Sequence, residues 1–117
     1  NNKDFILSFS KRTSLDQWAK IVPPASSNWT LDKYVALNER HANTYEFRIY
    51  RSTTYFDRFY ASILFTDALI HFSYNHSIAT IRKTGVPALI RFIRDNPLYT
   101  HLNTYLKEKH SNYYSLA

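Results

Sequence analysis

A chain of 117 residues has the length of one domain, and with 17% of it Phe, Trp or Tyr it carries enough apolar surface for a core, which excludes a disordered chain. Fifteen Lys and Arg against nine Asp and Glu give a formal charge of +6, which favours an anionic partner such as a nucleotide or nucleic acid, or simply keeps the domain dissolved. With no cysteine, disulfides, thiolate metal sites and cysteine nucleophiles are excluded together.

Phe5-Ile6-Leu7-Ser8-Phe9 is an apolar run that fits a strand, although so short a run is indistinguishable from a helix end by periodicity. Ser14 and Gln17 make a capping box ahead of Leu15, Trp18, Ala19 and Val22, so a helix is expected over about 14–22. The loop from Pro23 to Asn28 stops it, because two prolines remove backbone donors. Tyr34 to Leu37 is strand-like, Asn38 to Asn43 is a polar turn, and Thr44 to Arg51 alternates with period two. These two segments are expected to pair as an antiparallel hairpin. From Thr54 to Tyr74 the residues Phe56, Phe59, Tyr60, Ile63, Leu64, Leu69, Ile70 and Phe72 recur at three- and four-residue steps, which predicts a long, largely buried helix. The stretch 75–84 is ambiguous. Pro87 then opens a helix to about 95, and Pro97 another to about His110.

The pattern predicts a single α+β domain over residues 1–117, in which the hairpin packs against the long helix with shorter helices beside it. No segment is expected to span a membrane, since Ser62, Thr66, Asp67 and His71 break the longest apolar stretch. The chain has no Met and opens Asn1-Asn2-Lys3, from which we expect it to be the C-terminal fragment of a longer protein.

Chemistry concentrates on the second strand. Glu46 and Arg48, two apart, project from one face, where a carboxylate can hold a divalent metal and a guanidinium an anion; a structural ion pair fits the same spacing. Arg51 and Thr53 follow at the strand end, before a helix N-terminus able to receive an anion, although capping accounts for the hydroxyl equally well. The five His residues show no metal-ligand spacing, and Gly85, the one glycine, cannot make a phosphate loop. Arg82, Lys83, Arg91 and Arg94, near Phe92 and Tyr99, form a candidate nucleic-acid surface; a solvated helix face is the plainer alternative.

The run Lys33 to Asn38, followed by Asn43 to Thr53, resembles the later part of the amidoligase family carried by phages and plasmids. The likeness extends to Phe9-Ser10-Lys11-Arg12, Trp18-Ala19, Phe59, Ala61, Leu64, Asp67 and Ala68, covering roughly residues 5–74. The resemblance implies a glutamine-synthetase-like carboxylate–amine ligase that uses ATP and magnesium. It places Glu46 as the metal-holding strand carboxylate, Arg48 as its catalytic partner, and Arg51, Thr53 and Asn38 at the nucleotide. Ser52 stands where the family pattern has Gly, and the family's early acidic strand has no counterpart in the chain.

Three functions therefore compete. The first is a fragment of an ATP-dependent ligase, catalytic only if an upstream part supplies the other carboxylates. The second is a basic nucleic-acid-binding module of phage or plasmid replication or packaging. The third is a virion assembly protein with an aromatic interface that includes Tyr113 and Tyr114. Each implies an anionic ligand, the rest of a longer chain or an assembly partner, in the cytoplasm of a bacterial host or in a virion.

Overall fold

Residues 2–12, 37–38, 44 and 46–117 are described by the computed structural model of the chain. The expected helix over 14–22, the loop at Pro23 to Asn28, most of the first strand and the turn 39–43 lie outside them. The chain divides into two units: Asn1–Phe5 with Ser52–Ala117, and Ile6–Arg51.

The first unit is helical. Its longest element, α2 (Phe56–Asn75), begins where the Thr53 hydroxyl accepts the Tyr55 N–H at 3.1 Å, and Asp57 in the first turn suits the positive end of the helix dipole. At the other end the last carbonyls are taken by side chains: Asn75 Nδ2 donates to His71 O at 3.0 Å, and His76 Nδ1 lies 2.9 Å from Phe72 O. Ser77 then caps α3 (Ile78–Asp95), its hydroxyl accepting the Thr80 N–H at 3.2 Å. Within α3 the backbone leaves helical geometry once, at Gly85 (φ 58°, ψ −148°), and Pro87 sits in the first turn of the segment that resumes. Asn96 closes α3 and opens a 3-10 helix, Pro97–Tyr99, by accepting the Leu98 N–H at 3.0 Å. It leads into α4 (Thr100–Lys109) and α5 (Ser111–Tyr114).

The core of this unit forms where α2, α3 and α4 pack together. Ala61, Phe65, Ala68 and Phe72 line the inner face of α2. They meet Leu89, Ile90 and Ile93 from α3 and Leu102 and Leu106 from α4, all buried. Phe5, on the first turns of α1 (Asn2–Ser10), is also buried, its ring edge-on to Phe65 at 5.8 Å and to Tyr113 at 5.1 Å.

In the second unit α1 ends in a Schellman motif: Arg12 N–H donates to Leu7 O at 3.1 Å and Lys11 N–H to Ser8 O at 3.4 Å, with Lys11 at φ 59°. Pairing among the described residues is limited to β1 (Leu37–Asn38) and β2 (Glu46–Phe47), antiparallel, with Leu37 opposite Phe47 and Asn38 opposite Glu46.

The fold class therefore differs from expectation: the described chain is mainly helical, not α+β with a hairpin laid on a long helix. Two physical reasons stand out. The period-two stretch is expected to pair through to Arg51, but beyond Phe47 its backbone is otherwise engaged. Arg12 Nε donates to Ile49 O at 2.7 Å, Arg12 Nη2 donates to Arg48 O at 2.9 Å and Tyr50 O at 3.4 Å, and Arg51 N–H donates to Ser10 O at 3.0 Å. The Phe5 to Phe9 run is a helix, with Phe5 and Phe9 one turn apart and both buried. The long helix is real but only half buried. Phe56, Phe59, Tyr60, Ile63 and Ile70, expected in the core, are exposed.

Candidate functional site

The charged groups of Glu46, in β2, and of Arg48, just beyond its end, meet: Arg48 Nη1 donates to Glu46 Oε1 at 2.6 Å. The side chains keep 44% and 32% of their exposure, so the pair is solvated rather than sunk in a cleft. Magnesium takes near-octahedral oxygen coordination from carboxylates and water. Among the described residues no three His, Asp or Glu side chains gather, and the one strand carboxylate is already matched to a guanidinium. These residues do not by themselves fit a magnesium–nucleotide site.

The other residues of that expected site are distributed. Asn38 sits opposite Glu46 in the two-residue ladder. Arg51 is exposed and ties its backbone N–H to Ser10 O, as described above. Thr53, in the helical unit, spends its hydroxyl on the Tyr55 N–H at the start of α2. Arg12, quoted above only within the resemblance, directs Nε and Nη2 to the carbonyls of residues 48–50.

On α3 the residues Arg82, Lys83, Arg91 and Arg94 are all exposed, the first two before the break at Gly85 and the others after it. Arg94 Nε lies 3.9 Å from Asp95 Oδ1. The aromatic half of the expected surface is turned inward. Tyr99 is buried, and the half-buried Phe92 ring stands 5.7 Å from Phe72 and 6.1 Å from Tyr99. Neither ring is presented for stacking on a base.

Tyr99 belongs to a polar cluster with two residues of α2. Its hydroxyl donates to Asp67 Oδ2 at 2.8 Å and lies 3.2 Å from His71 Nδ1, which is 3.3 Å from Asp67 Oδ2. Burial, then the hydrogen bond to Asp67 and its charge, push the phenol up to about 12. Tyr99 is therefore a fixed donor, not a base, and it fastens the 3-10 helix to α2.

The largest feature is the outer face of α2. At 3.6 residues per turn, Phe56, Phe59, Tyr60, Ile63, Ile70 and Tyr74 fall in one stripe, roughly opposite the inner stripe of Ala61, Phe65, Ala68 and Phe72. All six are exposed, Phe56 at 69% and Tyr74 at 85%. The stripe's N-terminal end is an ordered aromatic cluster: Phe56 stacks on Tyr60 at 5.7 Å and 16°, and His101 of α4 lies 4.7 Å from the Tyr60 ring. Arg58 sits over the Tyr55 ring, 5.5 Å from its centroid. Apolar spacing announces this helix, but spacing alone does not tell which of two opposite apolar stripes is the covered one.

Among the described residues no helix is long and apolar enough to cross a membrane. No family model, curated protein or solved structure matches the chain.

Proposed function

We propose that this chain is an assembly domain that binds a protein surface through the outer face of α2. The observation that carries the reading is the stripe from Phe56 to Tyr74, six exposed apolar side chains on one helix face. A helix apolar on both sides is ordinarily buried on both, and exposed apolar patches mark interaction sites; here Asp67 falls within the stripe, between Ile63 and Ile70. Of the functions expected from the sequence, the assembly protein is the one this favours, with the interface moved from Tyr113 and Tyr114, which are half-buried, to α2. Its setting is the bacterial cytoplasm or a virion. The test is covalent footprinting of the full chain at a dilution where sedimentation finds one copy. Labelling of Phe56, Phe59 and Tyr74 is expected to exceed that of Phe65 and Phe72, and equal protection of both sets overturns the reading.

A second reading keeps nucleic acid as the partner of α3, and what favours it is the exposure of all four cations, Arg82, Lys83, Arg91 and Arg94. The Arg91→Ala, Arg94→Ala double variant should then weaken oligonucleotide binding whatever the sequence and flatten its salt dependence. The ligase reading, with ATP and magnesium at Glu46 and Arg48, rests on the resemblance alone.

A further inference from the structure

We infer that the α2 outer face docks an amphipathic helix of another protein whose apolar stripe carries one Lys or Arg at its middle, set against Asp67; the inference rests on the interface reading above. Asp67 stands between Ile63 and Ile70, about 6 Å from the first and about 4.5 Å from the second along the helix axis. Its side chain is half exposed. Both of its side-chain contacts use Oδ2: the Tyr99 hydroxyl donates to it at 2.8 Å, and His71 Nδ1 lies 3.3 Å away. Tyr99 keeps its proton well above neutral pH, so the carboxylate is held in place by a donor that stays a donor, and Oδ1 is left for a donor from outside. His71 is a counter-charge only in its protonated form. A surface that covers the stripe must take this carboxylate out of water, and an enclosed carboxylate persists only where a cation meets it.

Charge complementarity separates the possible occupants. Between Phe56 and Asn75 two carboxylates, Asp57 and Asp67, stand against one guanidinium, Arg58, so α2 is locally acidic on a chain of +6. Arg58 lies over the Tyr55 ring at the helix start. A second copy laid stripe to stripe would bring Asp67 towards its own counterpart, which sets like charges together. The α3 helix of a second copy carries Arg91 and Arg94, but its Leu89, Ile90 and Ile93 are buried in its own core, so it offers cations without apolar anchors. Nucleic acid and an anionic lipid surface bring the wrong sign, since both select basic faces. A helix with one basic residue in an apolar stripe brings both the sign and the anchors.

The shape of the face selects a helix. Its anchors recur at three- and four-residue steps over about 27 Å, from Phe56 to Tyr74, a spacing that a facing helix matches by setting its own ridges between them. An extended peptide has no edge to join, because the described elements of the helical unit are all helices. Aromatic side chains stand towards both ends (Phe56, Phe59 and Tyr60 at one, Tyr74 at the other), with Ile63 and Ile70 next to Asp67. Apolar contacts on either side of the pair would exclude water from it, which is where a charged contact adds specificity.

The probe is a displayed library of amphipathic helices about 20 residues long, each with an apolar stripe whose central position is randomised, selected on the immobilised full chain. The parent is expected to enrich Lys and Arg at that position about tenfold over their share in the library. Asp67→Asn, which keeps an acceptor for the Tyr99 hydroxyl, should lose the enrichment, and Asp67→Lys should enrich Asp and Glu instead. A synthetic peptide of the enriched sequence should bind Asp67→Asn about tenfold more weakly than the parent. Replacing its basic residue by Gln should cost the parent complex the same factor, and the two changes together no more than either alone. Ile63→Lys, at an exposed position one turn from Asp67, should keep the parent's helical circular dichroism and abolish binding. Helices enriched without a basic residue, or equally on the parent and Asp67→Asn, overturn the inference, as do binders that survive Ile63→Lys and a library that yields no binder. The interface reading is judged apart from this by footprinting: a labelled outer face leaves it standing with a partner of other chemistry, and a protected one takes it down as well.

Discussion

The helical unit and the strand unit hold themselves together by different means. In the first, Phe65, Phe72, Ile90, Ile93, Leu102 and Leu106 are buried between α2, α3 and α4, and polar contacts serve helix ends and the Tyr99–Asp67 link. In the described part of the second, Phe9 and Ile49 are buried, and beside the two-residue ladder one guanidinium is spread over three carbonyls and Arg51 N–H donates to Ser10 O. Burial distributes stabilisation over many side chains, each worth a moderate amount. A polar clamp concentrates it in one residue whose loss leaves several backbone acceptors to find water. The helical unit should therefore tolerate the loss of any one surface group, and the strand unit should depend on Arg12.

The largest effect expected is in the helical core. Phe65→Ala removes a fully buried ring that also meets Phe5 edge-on, and should cost about 3–5 kcal/mol. A thermal melt that moved by only a degree or two would mean that α2 does not bury this face. Its counterpart is Arg12→Ala, expected to cost about 2 kcal/mol, because the lost bonds are charge-assisted but only partly buried. Arg12→Lys should not restore it, since one ammonium cannot reproduce a planar fork. Amide exchange reports the location: with Arg12 gone, residues 46–51 should exchange faster while α3 and α4 keep their protection.

Two smaller changes sharpen the picture of the helical unit. Gly85 lies at φ 58° and ψ −148°, a conformation reserved almost entirely to glycine, and an added Cβ would stand 3.0 Å from Asn2 Oδ1. Gly85→Ala should cost about 1–3 kcal/mol by calorimetry, mostly through the backbone, because the Asn2 side chain can swing aside. Tyr99→Phe keeps the ring and removes the bond to Asp67, for about 1 kcal/mol at neutral pH. Its pH dependence has a defined sign. The unfolded phenol ionises near 10, whereas the folded one is pushed up to about 12, so the stabilisation is complete below pH 10 and is lost as pH rises towards 12. The parent should lose this increment over that window and Tyr99→Phe should not. In ultraviolet titration the Tyr99 phenol should ionise late, and that late step should be missing from the variant.

What was legible in the sequence follows from which interactions are local. The extent of α2 was, because three- and four-residue apolar spacing is a property of the helix itself. The start of α3 was foreshadowed only from Pro87, although Ser77 with Thr80 is a capping pair. Gly85 reads as a break, and here it joins two helical segments instead of separating two elements. Phe5 and Phe9 were ambiguous because five residues hold little more than one helical turn. The Arg12 clamp was invisible, since its partners are backbone carbonyls 36 to 38 positions away, which no side-chain pattern encodes. Tyr99 and Asp67 are likewise 32 apart, and only the packing of the 3-10 helix brings them together. Of the candidate site, the nearness of Glu46 and Arg48 was readable from their two-residue spacing. That the two would neutralise each other depends on rotamers, and spacing leaves these open.

The smallest effect expected is at that pair, and it bears on function more than on folding. Glu46 and Arg48 are in contact at 2.6 Å but remain about 44% and 32% exposed, where an ion pair is worth about 0–1 kcal/mol once solvent screens it. Glu46→Gln keeps the shape and a hydrogen-bond acceptor while removing the charge, so its melt should lie within a degree or two of the parent's. A magnesium role makes a different demand. If Glu46 holds the metal, losing its charge abolishes magnesium–ATP binding and leaves stability alone. Calorimetric titration with ATP and magnesium, of the parent and of Glu46→Gln, distinguishes the two. With the carboxylate already matched by Arg48 and no group of three metal-ligating side chains among the described residues, we expect the heats to be the same for both proteins. Binding by the parent that disappears in the variant would instead make the strand unit a nucleotide site, and Arg12 would then be the residue that holds the site's backbone in place.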